Sequence, residues 1–221
     1  MHKPILDIKN ICKSFNGKIV LNNVSFSVYP GETLGIVGKS GEGKSTIGKL
    51  LLMLLTPDSG SIIYNNSDIT KLNYKEQLTI RKDIQMVLQD PYSSFNPLKK
   101  IGWHLEEALR VLNGTIKKEY IIDMMRLVGL SPEYYNKYPN ELSGGQRQRI
   151  LLLTSLLLNP KILVLDESIS ALDLSVQAQI LNLLKDLQKK LNITYIFISH
   201  NQTVVEYFCD RVLYLKNGNF S

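Results

Sequence analysis

Long apolar runs are missing from this sequence of 221 residues. Its longest apolar stretch, residues 150–158, is interrupted by Thr154 and Ser155, whereas a helix that spans a bilayer needs about 20 consecutive apolar residues. The first residues, from Met1 to Asp7, also lack the apolar segment of a secretory signal. We therefore expect a chain that neither crosses a membrane by itself nor carries a secretory signal.

Cysteine is scarce as well. Cys12 and Cys209 are the two cysteines, and neither belongs to a C-x-x-C pair or to a metal-ligand spacing. Each stands beside an apolar residue, which indicates buried reduced thiols and is consistent with a reducing cytosol. The cysteines therefore predict no metal site.

Runs of like charge are also absent. The net charge is +6 and the isoelectric point about 9.1, yet the basic residues are dispersed, with no run longer than a pair such as Lys99-Lys100. A net positive charge permits nucleic acid, anionic lipid or phosphate ligands as partners. Because the lysines and arginines are spread out, we interpret most of them as solvated surface.

Short apolar runs that are rich in strand-forming residues alternate with helical patterns over most of the chain. Strands are predicted at residues 33–37, 84–88, 162–165, 194–199 and 212–215, after short antiparallel strands in the first thirty residues. Helices are predicted at residues 47–55 and along the apolar stripe from Val176 to Leu191. The sequence therefore predicts an α/β fold with a mostly parallel core sheet and an N-terminal antiparallel β subdomain.

Residues 97–158 contain no convincing strand pattern and are interpreted as a helical insertion. We expect one domain over residues 1–221. Within it, residues 1–89 and 161–221 would form the α/β core, and residues 90–160 a helical lobe.

A glycine-rich loop follows the strand predicted at residues 33–37. It reads Gly38, Lys39, Ser40, Gly41, Glu42, Gly43, Lys44, Ser45, Thr46, which matches G-x-x-x-x-G-K-[ST]. Glycines let the backbone point its N–H groups at phosphates, and the next helix directs its positive end at the same anion. We predict that Lys44 reaches the β- and γ-phosphates of ATP and that Ser45 binds Mg²⁺. A chance glycine-rich turn is the alternative, and the strand and helix on either side argue against it.

Two carboxylates, Asp166 and Glu167, end the apolar run at residues 162–165. At the carboxyl edge of a parallel sheet they would lie beside the phosphate loop. There Asp166 would hold Mg²⁺, and Glu167 would polarise the attacking water as a general base. A solvated strand end is the default for such a pair alone, and it becomes the minority interpretation beside a phosphate loop.

The segment Leu142-Ser143-Gly144-Gly145-Gln146 makes the interpretation specific. With the two preceding motifs, in this order, the chain closely resembles the ATP-binding cassette (ABC) family of transport ATPases over essentially its whole length. Ser143 and Gly145 at a helix N-terminus would form a second anion site. The resemblance implies that Ser143, Gly144, Gly145 and Gln146 contact the ATP held by a partner cassette, so that two cassettes stack head to tail. A Ser-Gly-Gly helix cap is the alternative.

Four further positions take their roles from this resemblance. Gln89 would sense Mg²⁺ and the γ-phosphate, and His200 would contact the γ-phosphate. Asp173 would communicate across the dimer. Phe15 would stack on adenine, although an aromatic residue between two early strands also fits a plain core position. The implied catalytic residues are Lys44, Gln89, Glu167 and His200, and the implied Mg²⁺ ligands are Ser45, Gln89 and Asp166.

The segment at residues 90–97, Asp-Pro-Tyr-Ser-Ser-Phe-Asn-Pro, is similar to that of importers of oligopeptides, dipeptides, and nickel or other metal chelates. This implies an ATP-hydrolysing subunit at the cytoplasmic face of the membrane. Its expected partners are two permease subunits, a second cassette (a related paralogue or a second copy) and an extracytoplasmic substrate-binding protein. No nucleic acid is expected. The alternatives are a soluble cassette ATPase that acts on nucleic acid or the ribosome, and a cassette of another ABC transporter class.

Two residues near the predicted site depart from the family pattern. Ser168 follows Glu167 where the family usually has proline, and Asn201 follows His200 where aspartate is usual. Neither change removes a predicted catalytic group. Ser168 is expected to loosen the turn after Glu167, because proline would have fixed it.

Overall fold

The computed structural model describes residues 3–87, 94–110, 117–169 and 173–220. The strands are β1 (Leu6–Phe15), β2 (Lys18–Val28), β3 (Thr33–Val37), β4 (Ser59–Tyr64), β5 (Ser67–Asp68), β6 (Ile84–Val87), β7 (Ile162–Asp166), β8 (Thr194–Ser199), β9 (Arg211–Lys216) and β10 (Asn219–Phe220). The helices are α1 (Lys44–Leu51), α2 (Tyr74–Asp83), α3 (Ile101–Arg110), α4 (Lys118–Leu127), α5 (Gly144–Leu156), α6 (Leu174–Leu191) and α7 (Gln202–Phe208). Two short 3₁₀ turns, Pro132–Asn136 and Pro139–Glu141, precede α5.

A six-stranded sheet forms the centre of the fold, in the order β10-β9-β3-β8-β7-β6. Neighbouring strands from β9 to β6 are parallel, and β10 is antiparallel to β9. Every residue of β3, β7 and β8 is buried, as expected for parallel strands covered on both faces. The predicted mostly parallel core sheet is confirmed.

A second sheet is antiparallel, in the order β2-β1-β4-β5. The apolar residues here form two pieces, residues 19–21 and 24–28, which predict short strands, whereas the structure has one long strand β2 over both pieces. Asn23 lies between those pieces with φ 56°, and its N–H donates to Cys12 Sγ at 3.2 Å. This contact lets the strand continue through an irregular residue. Strand β4 was not predicted, because it begins with the polar sequence Ser59-Gly60-Ser61.

Helix α1 ends earlier than its apolar pattern predicts. The pattern runs over residues 47–55, but the helix ends at Leu51, and Met53 adopts a left-handed φ of 55°. Arg81 donates to the carbonyl oxygens of Leu52 and Met53, both at 3.1 Å. Leu52, Met53 and Leu55 still pack against the core after the helix has ended, whereas Leu54 is exposed.

Alternate residues of the central strands enter two different apolar clusters. Leu163, Leu165 and Phe197 pack with helices α3 to α7, while Val164 and Ile196 pack with α1 and the antiparallel sheet. The stripe predicted from Val176 to Leu191 forms α6 and buries its apolar face. Within the described part of the chain, residues 94–110 and 117–158 are helices and turns without a strand, and no helix is long and apolar enough to span a membrane.

Candidate functional site

Three segments meet at the carboxyl edge of the central sheet. The phosphate loop follows β3, Asp166 ends β7 and is followed by Glu167, and His200 follows β8. Strand β8 lies between β3 and β7 in the sheet. Because parallel strands end at the same edge, this order places all three segments side by side, as the sequence predicts.

The phosphate loop needs glycine where its backbone passes close to other strands. Gly43 has φ 102°, and a Cβ at this position would lie 3.0 Å from the carbonyl oxygen of Val20. A Cβ at Gly38 would lie 2.6 Å from the carbonyl oxygen of Leu215. Glu42 Oε2 accepts a hydrogen bond from the Lys39 N–H at 2.6 Å, which closes the loop upon itself.

Lys44 is 5% exposed and begins α1. Its Nζ donates to the carbonyl oxygens of Gly38 and Lys39 at 2.8 and 2.9 Å, and lies 3.8 Å from Glu167 Oε1. A buried ammonium group needs such acceptors, because an unpaired charge is costly away from water. The oxygens of a phosphate group are acceptors of the same kind, so the site suits an anionic ligand.

Asp166 and Ser45 form a pair that suits a divalent cation. Asp166 is 8% exposed, its carboxylate accepts a hydrogen bond from Ser45, and its Oδ1 atom has no hydrogen-bond partner. Burial raises the pKa of Asp166, against the opposing effect of Ser45. Within the described residues no group of three His, Cys, Asp or Glu side chains could hold a metal. One carboxylate and one hydroxyl instead fit Mg²⁺, which often takes its remaining ligands from substrate phosphates and water.

Glu167 has an unusual backbone and close polar neighbours. Its φ is 47°, in the left-handed region that is uncommon for residues other than glycine, and its N–H donates to the Ile198 carbonyl oxygen at 2.9 Å. Its Oε1 lies 3.3 Å from His200 Nδ1, and the His200 side chain is 55% exposed. Both residues line a cavity of about 1010 Å³ together with Gly38 and Lys39. A carboxylate in this position can accept a proton from water.

The two departures from the family pattern have different consequences. The Ser168 hydroxyl is buried and has no hydrogen-bond partner, and nothing in the structure explains why serine stands there. Asn201 caps α7, because its side chain accepts a hydrogen bond from the Val204 N–H at 3.2 Å. Asparagine and aspartate both supply the oxygen that this cap requires.

Phe15 ends β1 beside the phosphate loop. Its side chain is 40% exposed, so it is not a core residue. It lines a cavity of about 350 Å³ with Val20, Glu167 and residues of the phosphate loop, including Lys44. The structure therefore disfavours the alternative of a plain core position, and an aromatic ring next to the loop can stack on a flat ligand.

The segment Ser143 to Gln146 begins α5 and is fixed by a capping box. Ser143 Oγ accepts from the Gln146 N–H at 3.3 Å, and Gln146 Oε1 accepts from the Ser143 N–H at 2.9 Å. Gln146 Nε2 also donates to the Tyr134 hydroxyl at 2.9 Å. Within its own chain, Ser143 therefore caps helix α5, which is the alternative that the sequence left open for this segment. The cap uses an acceptor lone pair of Ser143 and does not consume its hydroxyl proton.

This segment does not share the cavities at the phosphate loop of its own chain. Ser143, Gly144, Gly145 and Gln146 line neither of the two cavities described above. The structure thus brings together the phosphate loop, Asp166, Glu167, His200 and Phe15, and leaves this second predicted anion site elsewhere.

Asp173 and Gln89 are two further residues whose roles come from the family resemblance. Asp173 caps α6, because its Oδ1 accepts from the Val176 N–H at 2.9 Å, and its communication across a dimer stays a prediction. Gln89 lies outside the described residues, as do residues 90–93 and 170–172.

Asp58 belongs to none of the sequence motifs. It precedes β4, and its carboxylate accepts hydrogen bonds from Lys13 and Ser14 in β1. These hydrogen bonds lower the pKa of Asp58 to about 2. The sequence gives no signal for this contact, because 44 positions separate Asp58 from Ser14.

Comparisons with known proteins bear on this site. The family model described as ABC transporter matches residues 21–170. The chain is 46% identical over 201 residues to the dipeptide transport ATP-binding protein DppF of Escherichia coli (strain K12), covering 90% of this chain and 60% of that protein. It is 45% identical over 201 residues to the glutathione import ATP-binding protein GsiA of Salmonella paratyphi A, covering 90% of this chain and 32% of GsiA. The chain thus spans less than two thirds of the length of these two relatives.

A solved structure is similar over nearly the whole chain. It is the dimeric structure of a post-hydrolysis state of the ATP-binding cassette MJ0796 bound to ADP and Pi. The TM-score is 0.85 at 30% sequence identity, with 98% of this chain and 96% of that chain covered.

Proposed function

The chain belongs to the ABC transporter family, and from this membership we propose that it is the ATP-hydrolysing subunit of an importer of peptides. The observation that carries the proposal is the arrangement of Lys44, Asp166, Glu167 and His200 around one site at the edge of the central sheet. In this proposal residues 1–89 and 161–221 form the ATPase core, and residues 90–160 form the helical lobe.

The triphosphate of ATP binds at the phosphate loop. Backbone N–H groups of the loop and the N-terminus of α1 face the anion, and Lys44 exchanges its carbonyl partners for phosphate oxygens. Ser45 and Asp166 would hold Mg²⁺, with Gln89 as a further predicted ligand. Bound Mg²⁺ supplies positive charge that offsets the charge of the phosphates.

Glu167 acts on the water that attacks the γ-phosphate. As the water oxygen bonds to the γ-phosphorus, Glu167 accepts a water proton, and the bond from that phosphorus to the bridging oxygen breaks. ADP leaves with the bonding electron pair, and inorganic phosphate is the other product. His200, beside Glu167, donates a hydrogen bond to the phosphate oxygens as charge develops on them.

The signature segment, residues 142–146, completes the site of another chain. It lines neither cavity at the phosphate loop of its own chain, which supports this role. The Ser143 hydroxyl proton and the N-terminus of α5 would face the phosphates bound to the partner. Two chains, or this chain and a related one, would then enclose two ATP molecules between them.

A groove on the helical side supports docking of a permease. The groove has a volume of about 610 Å³ and lies among α2, β6, α3 and α5. Its apolar lining includes Tyr74, Leu78, Met86, Ala108, Leu151 and Leu158. Each of the two permease subunits would place the apolar face of one helix in the groove of one cassette. This docking would hold both cassettes at the cytoplasmic face of the membrane. An extracytoplasmic binding protein would deliver the substrate.

The substrate class is proposed from the relatives. Their names describe transport of dipeptides and import of glutathione, itself a short peptide. This favours peptides over the nickel or metal chelates that the resemblance also allows. Selection among peptides would belong to the permease and the binding protein, because the cassette supplies only the ATPase site.

The proposal is tested by reconstitution. The chain is co-expressed with the permease genes that neighbour its own gene, and the complex is reconstituted in proteoliposomes with the binding protein. We expect short peptides to stimulate ATP hydrolysis, and Lys44→Ala to abolish it while Lys82→Ala, which removes an exposed lysine on α2, does not. Co-purification of RNA or ribosomes in place of a permease would contradict the proposal.

A further inference from the structure

Asp58 connects the start of β4 to the end of β1. Its Oδ1 accepts a hydrogen bond from Lys13 Nζ at 2.8 Å, and its Oδ2 accepts from the Ser14 N–H at 2.6 Å and the Ser14 hydroxyl at 2.7 Å. The Asp58 N–H donates to the Cys12 carbonyl oxygen at 2.9 Å. One residue therefore holds three consecutive residues of β1.

These contacts act where the pairing of β1 is irregular. The register of β1 with β2 shifts between Ile11 and Lys13 and again between Lys13 and Ser14. Irregularities of this kind change the direction in which the following side chains point. Because the Ser14 N–H is bonded to Asp58, the carboxylate helps to hold the backbone immediately before Phe15, together with the pairing of Ser14 and Phe15 with β2.

Phe15 depends on this backbone more than on packing. Its ring is 40% exposed, so few core contacts fix its orientation. Lys13 Nζ lies 5.5 Å from the ring centroid and is itself held by Asp58. The ring lines the cavity that also contains Lys44 and Ser45. Asp58 thus contacts both the backbone before Phe15 and the charged group beside its ring.

We propose that Asp58 is a positioning residue for the base of the nucleotide. It holds the end of β1 so that the Phe15 ring stays beside the phosphate loop, where adenine stacks on it. Asp58 does not line the cavity, so it acts through Phe15 and does not touch the ligand. This inference rests on the proposed function, because it takes the cavity to be the ATP site.

The Asp58 carboxylate keeps its negative charge in its contacts with Lys13 and Ser14. Hydrogen bonds from Lys13 and Ser14 lower its pKa to about 2. The carboxylate is therefore ionised at every pH at which the protein would work.

The test compares a ligand with a base and a ligand without one. Binding of ATP and of inorganic tripolyphosphate is measured by calorimetry for the wild type, Asp58→Ala, Phe15→Ala and the double variant. Asp68→Ala is the matched control, because Asp68 accepts from the Thr70 N–H at 2.8 Å in the same sheet and does not line the cavity.

We expect Phe15→Ala to weaken ATP binding by about tenfold or more, as loss of base stacking does. Asp58→Ala should weaken ATP binding by about three- to tenfold and leave tripolyphosphate binding within about twofold. The double variant should match Phe15→Ala, since the two residues act as one unit. Asp58→Asn, which keeps an acceptor for Ser14 and loses the ion pair, should show a smaller loss and serves if the alanine variant does not fold.

Four outcomes overturn the inference. Equal losses for ATP and tripolyphosphate in Asp58→Ala would indicate general destabilisation, and additive losses in the double variant would show that Asp58 does not act through Phe15. Full ATP affinity in Phe15→Ala would remove the stacking role, while the phosphate site stands if Lys44→Ala abolishes binding of both ligands. If Lys44→Ala leaves tripolyphosphate binding unchanged, the proposed function itself fails, and this inference falls with it.

Discussion

At the scale of single residues, Glu167 combines an uncommon backbone conformation with close polar neighbours. Its left-handed φ of 47° places the carboxylate beside Lys44 and His200 at the end of β7. Such a conformation costs free energy in a residue other than glycine, and it persists only when surrounding contacts hold it. The hydrogen bond from the Glu167 N–H to the Ile198 carbonyl oxygen is one such contact.

Glu167→Gln tests the general base. We expect ATP binding to stay within about twofold, because the amide keeps the shape of the side chain. ATP turnover should fall by about 100-fold or more, since glutamine cannot accept the water proton. Nucleotide binding and phosphate release are measured in parallel, with Glu119→Gln on α4 as the control. Turnover at the wild-type rate would show that another group is the base.

The lowered pKa of Asp58 predicts how the free energy of unfolding depends on pH. Its pKa in the folded chain is about 2, below the ordinary value of 3.8, so its ion pair and hydrogen bonds stabilise the fold most fully above the ordinary value. This contribution is lost as the pH falls from about 4 through about 2. Urea unfolding between pH 5 and pH 2.5 should show a smaller fall in the free energy of unfolding for Asp58→Asn than for the wild type. Equal falls would contradict this prediction.

At the scale of elements, the N-termini of α1 and α5 are built differently. Helix α1 begins after Gly43, whose left-handed backbone exposes the first N–H groups of the helix and supplies no side-chain cap. Helix α5 begins with Ser143, whose side chain satisfies one N–H group and leaves others at the helix end. Both ends can therefore face an anion, but only α1 has a lysine at its first position.

Two substitutions at Ser143 separate capping from anion binding. Aspartate caps helices as well as serine does, so Ser143→Asp should keep thermal stability and lose ATP hydrolysis, because its charge repels the triphosphate. Ser143→Ala should lower the free energy of unfolding by about 1 kcal/mol through loss of the cap. Stability is measured by thermal unfolding and activity by phosphate release. Full activity of Ser143→Asp would argue that the signature segment has only a structural role.

At the scale of the whole molecule, the phosphate loop and the signature segment, which we propose to be two halves of one kind of site, do not line the same cavities of one chain. The phosphate loop lines both cavities at the sheet edge, and residues 142–146 line neither. A similar cassette, MJ0796, has been solved as a dimer bound to ADP and Pi. Two copies in opposite orientation would bring each loop to the signature segment of the other copy.

Mixing two inactive variants tests this arrangement. Lys44→Ala and Ser143→Asp should each be inactive alone, because every site of either homodimer contains the defect. In a mixture, a mixed dimer has one site with an intact loop and an intact signature segment, so hydrolysis should recover to about a quarter of the wild-type rate by random pairing. Activity is measured at increasing protein concentration, and no recovery would contradict the assignment between copies.

The sequence by itself determined the fold class and most strand positions. Buried parallel strands such as β3 and β8 appear as uninterrupted apolar runs, because both of their faces are covered. The phosphate loop was also identifiable from sequence, since its glycine spacing reflects local backbone requirements. The element order places Lys44, Asp166, Glu167 and His200 at one sheet edge, where the structure brings them together, and their catalytic roles stay predictions.

Only the tertiary structure decided the features that depend on distant contacts. Helix α1 stops at Leu51, where Arg81 binds the carbonyl oxygens that follow the helix, and no local pattern announces that contact. The exposure of Phe15 and the contacts of Asp58 with β1 likewise arise from strands far apart in sequence. A motif encodes the local backbone and chemistry of a loop, whereas the partners of a side chain are fixed only when the sheets and helices pack together.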